Sequence, residues 1–265
     1  ANRTAFQKYY ARSKRLVSIQ NIDMSVEILG TRWPTPIILA PLGSQNAFHS
    51  EGETGSARAA KSRNHLQVLS TVSSTSVEEV SEARDAPIWY QLYTMGGWDG
   101  IQSRLRRAEA AGCPVVVLTV DMAGGTGARH TLLRAIRQDT RDCAGCHAGN
   151  GVAAQGKPML DGIDENAPAI DLSWAFLDRL RQETTMKVFV KGIVTAEDAE
   201  KSLEHGVDGI IVSNHGGRAD DSGRGAIESL EEVSGVVQGR TPLFMDSGIR
   251  RGVDIFKALA LGADA

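Results

Sequence analysis

The sequence predicts an α/β fold, a (β/α)8 TIM barrel that is incomplete in this chain. Three observations carry that reading. Short apolar runs alternate with helix-like segments seven times, and such alternation favours parallel βα units. The apolar runs are continuous, as in VVVLTV at Val115–Val120, which suits strands covered on both faces. The 265 residues match the roughly 250 of one such barrel. A doubly wound open sheet is the rival, and the absence of Gly-x-Gly-x-x-Gly after the first strand weakens its dinucleotide-binding version.

Each element has a local reason. Pro36–Ala40 (PIILA) reads as a buried strand, and Gly52–Arg63, rich in Ala, Glu and Arg, as a helix. Gln67–Ser70 is the next strand; Ser76–Ala83 is a helix with Ser76 or Thr75 as N-cap. Ile88–Leu92 is a strand, followed by a helix over Trp98–Ala111 that Gly112 ends. Val115–Val120 is the most β-branched strand. The later units pair strands at Lys187–Lys191, Gly209–Ser213 and Pro242–Asp246 with helices at Ala196–His205, Ile227–Val237 and Gly252–Leu261. A helix at Phe176–Glu183 precedes them. Residues 143–170 form a long excursion rich in Gly and Pro, and loops of that length usually serve function. The chain reads as one domain over 1–265, with an insertion at about 122–170.

The net charge of −3 gives no footprint for nucleic acid. No apolar run reaches the roughly 18 residues of a membrane helix, and no signal peptide is visible. Ala1 lies inside a polar, helix-like stretch, so the start reads as trimmed; the expected location is cytoplasmic. Of three cysteines, Cys113 reads as a buried small hydrophobe. Cys143-Ala144-Gly145-Cys146-His147 has the formal spacing of a c-type haem attachment site. A disulfide, a metal site or ordinary loop chemistry is preferred, because no cytochrome-like helices surround it.

The active site of a βα barrel is built from the C-terminal ends of its strands. Here those ends carry Pro41-Leu42-Gly43, Ser70-Thr71, Gln91-Leu92-Tyr93, Thr119-Val120-Asp121, Lys191-Gly192, Ser213–Arg218 and Asp246–Arg251. Lys191 suits stabilisation of negative charge. His215 suits general-base work, with Asp121 to hold its ring. Arg218 suits a forked contact to a carboxylate. Gly248–Gly252 offers backbone N–H groups, Arg250 and a helix start, a natural phosphate site. Taken singly, Lys191 could be a surface lysine, His215 a turn residue, Asp246 and Arg250 an ion pair, and Gln91 and Tyr93 strand caps. The plainer readings lose because the groups occur together.

SNHGGR at Ser213–Arg218, with VKGI, TAEDA, LTVD, WYQLY and MDSGIRRGVDIFKALALGADA, resembles the FMN-dependent 2-hydroxy-acid oxidase and dehydrogenase family. That family includes glycolate oxidase, lactate oxidase, mandelate dehydrogenase and the flavin domain of flavocytochrome b2. The likeness covers the chain except roughly 122–170. It implies FMN as cofactor, a small (S)-2-hydroxy acid as substrate, oxygen, a quinone or a cytochrome as electron acceptor, and a homotetramer. It implies His215 as base, Asp121 as its partner, Arg218 and Tyr93 as substrate-binding residues, and Lys191 beside the flavin N1–C2 carbonyl edge. Flavin contacts carry to Pro41, Leu42, Gly43, Ser70, Gln91, Thr119, Asp246, Gly248 and Arg250.

Three positions depart from the family pattern. Leu42 stands where a small hydroxyl or aliphatic residue is usual, and Val72 where an aromatic is frequent. Arg129 lies one residue out of register with a second carboxylate-binding arginine, with Arg134 and Arg137 as substitutes. The resemblance also implies an eighth strand and an N-terminal helical segment beyond this sequence. The chain is therefore expected to be a fragment, some 100 residues short. A gap is expected between the strands at Pro36–Ala40 and Pro242–Asp246, with FMN absent or weakly held. The rival readings are another FMN barrel, related to isopentenyl isomerase or inosine-monophosphate dehydrogenase, and a non-catalytic flavin-binding protein.

Overall fold

The structure, a computed structural model, describes residues 1–122, 156–164, 166–219 and 222–265. In chain order the elements are α1 (Asn2–Ala5), β1 (Val26–Ile28), β2 (Thr31–Trp33), β3 (Ile38–Leu39), α2 (Gly52–Arg63), β4 (Leu66–Leu69) and α3 (Val77–Arg84). They continue as β5 (Trp89–Leu92), α4 (Gly97–Ala110), β6 (Val115–Thr119), α5 (Trp174–Glu183), β7 (Lys187–Ile193), α6 (Ala196–Glu204), β8 (Gly209–Val212), α7 (Ala226–Val237), β9 (Leu243–Met245) and α8 (Gly252–Ala260). Strands β3 to β9 follow one another in chain order in a seven-stranded sheet whose end strands are β3 and β9. This is the βα succession of an incomplete (β/α)8 barrel. The sequence reading missed the antiparallel hairpin β1–β2. Its two-residue turn is Leu29-Gly30, both at positive φ (49° and 76°), a primed turn that the sequence marks with a single glycine.

The chain divides into two compact units, one within Ala1–Ile37, Val120–Ile136 and Val190–Ala265, the other within Ile38–Thr119 and Arg137–Phe189. In the second unit β3, β4, β5 and β6 pair in parallel, with Ile38 beside Leu66, Val68 beside Trp89 and Tyr90 beside Val116. Every residue of β4, β5 and β6 is buried, so continuous apolar runs are what such strands need. Helix α3 starts on a capping box, Ser76 accepting from the Glu79 amide while Glu79 accepts from the Ser76 amide. On α4, Ile101, Leu105 and Ala108 recur on one face and are fully buried. Trp98 packs edge-on against Phe176 of α5, with the Arg179 guanidinium 3.6 Å from its ring centre.

One buried carboxylate joins two loops of this unit. Glu53 of α2 is fully buried. It accepts hydrogen bonds from the amides of Gln45 (3.1 Å) and Ser74 (2.9 Å) and from the Thr75 hydroxyl (3.0 Å). The loops after β3 and β4 are thereby tied to one side chain, and a buried carboxylate is tolerable because its lone pairs are used.

In the first unit, β8 and β9 pair in parallel, Ile210 beside Leu243 and Val212 beside Met245. The Val120 amide donates to the Lys191 carbonyl at 2.9 Å, which fixes the residues after β6 against β7. Beyond α8 the chain runs beside β9: Asp264 N donates to Leu243 O, and Met245 N to Ala265 O. Helix α1 packs on α7 at Gly225, where a Cβ would lie 2.3 Å from that of Ala5.

Two outcomes are expected of the second unit. Glu53→Gln puts an amide NH2 among donors that need an acceptor, and should cost about 1–3 kcal/mol in denaturant unfolding; an unchanged midpoint would show that the two loops do not depend on it. Burial pushes the Cys113 thiol from 9.0 to about 12 and the Tyr90 phenol from 10.0 to about 12. The folded chain keeps both protons after the unfolded chain has begun to lose them, so stability should fall as pH rises from 9 towards 12. Melting temperatures across that range check this: Cys113→Ala and Tyr90→Phe should each flatten the decline.

Candidate active site

In both units the strand ends gather polar side chains. The first unit's cluster centres on Lys191, near the end of β7 and only 4% exposed. An ammonium taken out of water costs several kcal/mol unless it is paired and hydrogen-bonded. Its Nζ donates to Ser213 Oγ at 2.9 Å and lies 3.3 Å from Asp246 Oδ2 and 3.9 Å from Asp121 Oδ2. One cation and two carboxylates leave the cluster with a negative charge in excess.

His215 follows β8 on a turn in which three successive residues, His215, Gly216 and Gly217, have φ of 56°, 75° and 84°. Only glycine visits that region without cost, so the two glycines after the histidine belong to the turn's geometry. Nδ1 of His215 lies 2.8 Å from Asp121 Oδ1. With Asp121 ionised, Nδ1 carries the proton and Nε2 the lone pair. A proton taken at Nε2 turns this contact into an ion pair. Asp121 Oδ2 is buried and has no hydrogen-bond donor among the described residues. Gly192 lets the aspartate approach β7: its φ is 112°, and a Cβ there would meet Asp121 Cβ at 2.7 Å.

The turn is anchored from both sides. Asn214, 2% exposed, exchanges two side-chain hydrogen bonds with Asn2 (2.9 and 2.8 Å). Asn2 Oδ1 also accepts from the first amide of α7 at Ala226, at 3.0 Å. On the other side, the Ser247 hydroxyl accepts from Gly216 N at 2.9 Å and donates to Asp246 Oδ1 at 2.8 Å.

Arg218, on the same turn, and Arg250 are exposed; neither makes an ion pair among the described residues. Gly248, at φ 94°, packs on Asn2 and Phe6. Two amides of the Gly248–Gly252 segment already have an acceptor within the chain. The amides of Arg250 and Arg251 donate to Asp254 Oδ2 at 3.0 and 2.9 Å, because a helix N-terminus attracts a carboxylate. The exposed Arg250 guanidinium donates to the Ile249 carbonyl at 2.7 Å.

In the second unit the cluster is neutral and centres on Gln91. Its Oε1 accepts from Ser70 Oγ (3.2 Å) and Thr71 N (3.1 Å), and its Nε2 donates to Thr119 Oγ1 (2.9 Å). Thr71 Oγ1 donates to the Gln91 carbonyl at 2.6 Å and accepts from Tyr90 OH and Tyr93 N. Tyr93 is thus fixed by its backbone, and the buried Arg104 supports the same segment by donating to the Tyr93 and Met95 carbonyls. Gly43 fits closely: a Cβ there would lie 2.6 Å from Val72 Cγ2 and 3.3 Å from Ser70 Oγ. Pro41 is half-buried and Leu42 is 55% exposed. Buried Lys157 donates to Ser44 Oγ and to the Val72 carbonyl.

The structure brings Asp121, Lys191, His215 and Asp246 together, and likewise Ser70, Gln91 and Thr119. Arg129, Arg134, Arg137 and Cys143–His147 lie outside the described residues. Asn2, Arg104 and Lys157 were missed by the sequence reading. Thr71 stands at a strand end and was visible there; Asn2 meets Asn214 across 212 positions, which no local pattern shows.

All 265 residues match the family model described as FMN-dependent dehydrogenase. The chain belongs to that family. It is an oxidoreductase with FMN as its cofactor. It is 40% identical to a peroxisomal (S)-2-hydroxyacid oxidase of Arabidopsis thaliana, covering all of this chain and 73% of the relative. It is 36% identical to an L-lactate oxidase of Lysinibacillus sphaericus, over 100% and 70% of the two chains. A solved mandelate oxidase variant with (S)-mandelic acid superimposes with a TM-score of 0.84 at 34% identity, covering 100% of this chain and 73% of that one. Among the described residues no helix is long and apolar enough to cross a membrane.

The amide pair at Asn2 gives a direct test. Asn2→Ala leaves the Asn214 side chain buried and short of partners, and should cost about 1–3 kcal/mol of stability. Chemical denaturation of the purified variant measures it, and a wild-type midpoint would show that the pair does not hold the turn.

Proposed function

We propose that this chain oxidises a small (S)-2-hydroxy acid to the 2-oxo acid, with His215 as the base. The observation that carries the reading is the 2.8 Å contact between His215 Nδ1 and Asp121 in a cluster with one buried cation and two carboxylates. That arrangement fixes the imidazole and leaves Nε2 to receive a proton.

The donor set suits FMN. Ser70, Gln91 and Thr119, with the backbone of Pro41, Leu42 and Gly43, offer neutral hydrogen-bonding groups for a flavin ring. Lys191 offers a positive charge for the ring's electron-rich carbonyl edge. Asp246, Gly248 and Arg250 serve the phosphate-bearing side chain. When bound, FMN supplies the two-electron acceptor. Arg218 and Tyr93 anchor the substrate carboxylate, with Arg129 as the second arginine. His215 would take one proton from the substrate's CH–OH group, and the other hydrogen would leave with the electron pair as hydride or after it as a proton, so that C–OH becomes C=O. Asp121 stabilises the imidazolium that results. The relatives' names as oxidases support oxygen as the final acceptor, and a tetramer follows the family expectation.

His215→Ala should retain FMN while its flavin absorbance is lost about 10²–10⁴ times more slowly under anaerobic mixing with lactate, glycolate or mandelate. Stopped-flow traces at wild-type rates in the variant would sink the assignment. No bleaching of the wild type by any of the three acids would remove the substrate class.

A further inference from the structure

We infer that Ser247 is a positioning residue for His215, an inference that rests on the reading of His215 as the base. Ser247 sits at φ 77°, a backbone conformation that costs any residue but glycine. A left-handed residue other than glycine at such a place points to a function for its side chain. Here the side chain is a single hydroxyl, and both its bonds run towards the base. It accepts from the amide of Gly216, the residue after His215, and donates to Asp246 Oδ1.

Asp246 in turn faces Lys191, whose Nζ donates to Ser213 Oγ. The same Ser213 oxygen accepts from the amide of His215 itself, at 3.1 Å. The result is a closed ring: Gly216 N, Ser247, Asp246, Lys191, Ser213, His215 N. Two consecutive amides at the base are gripped by two serine hydroxyls, and both serines are tied to one ammonium. Ser213 fixes the entry to the turn from β8. Ser247 fixes its exit from the loop after β9. Without Ser247 the turn keeps its entry bond and its internal bond from Gly217 N to the Asn214 carbonyl but loses its tie to the loop after β9, and the imidazole loses its set distance from Asp121.

Glycine and alanine at 247 separate this role from a merely structural one. Both remove the hydroxyl, but Ser247→Gly also removes the backbone cost, whereas Ser247→Ala keeps it. At saturating FMN, both variants should lose flavin absorbance about five- to tenfold more slowly than wild type, the equivalent of one hydrogen bond. Ser247→Gly should nevertheless melt within about 2 °C of wild type and several degrees above Ser247→Ala. In the absence of substrate, the NMR signals of the His215 ring should shift in both. A wild-type rate in Ser247→Gly overturns the inference, as do rates in the two variants that simply rank with their melting temperatures. His215→Ala, run alongside, isolates the other failure: a wild-type rate there overturns the base reading and this role with it.

Discussion

The need to neutralise one buried ammonium organises the first unit. Lys191 is almost fully removed from water, and an unpaired cation there would not be tolerated. Its partners come from three other strand ends: Asp121 after β6, Ser213 after β8 and Asp246 after β9. Each end is held at the spacing the cation sets, and each also contacts the His215 turn. The charge requirement and the placement of His215 are therefore satisfied by the same atoms.

The second unit meets a similar problem with neutral groups. Gln91 links β4, β5 and β6 through an amide that both donates and accepts, and Thr71 ties the end of β4 to β5 through one hydroxyl. Such a network is fully satisfied without ions, so its geometry depends little on pH between the carboxylate and thiol ranges. The cluster around Lys191 is held by opposite charges instead, one ammonium 3.3 Å from Asp246 and 3.9 Å from Asp121. One set of strand ends is joined by neutral hydrogen bonds, and the other by charge.

Much of this was legible in the sequence because burial on both faces leaves a plain signal. Continuous apolar runs located β4 to β9 to within one or two residues, and Ser76 and Gly112 marked helix ends by their known backbone roles. The strand-end residues were also legible, since βα topology says which end of a strand carries chemistry. Contacts that depend on folding across long separations were hidden. Asn2 and Asn214 are ordinary polar residues until the chain brings α1 onto the His215 turn. Asp254 reads as a helix-start acid, and only its coordinates show that it claims amides otherwise suited to phosphate. Lys157 lay in a segment read as loop, where no periodicity announces a buried lysine.

Gly192 sets a limit on how this chain can vary. Its φ of 112° is closed to other residues, and the space a Cβ would need is taken by Asp121 Cβ at 2.7 Å and Asp121 N at 3.0 Å. Because one of those atoms is backbone, no rotamer change relieves the clash, and the main chain after β6 would have to move. That movement would carry Asp121 away from His215. A second substitution elsewhere cannot restore both the conformation and the space. Position 192 is thus barred to gradual change: any side chain there would separate His215 from Asp121 in a single step.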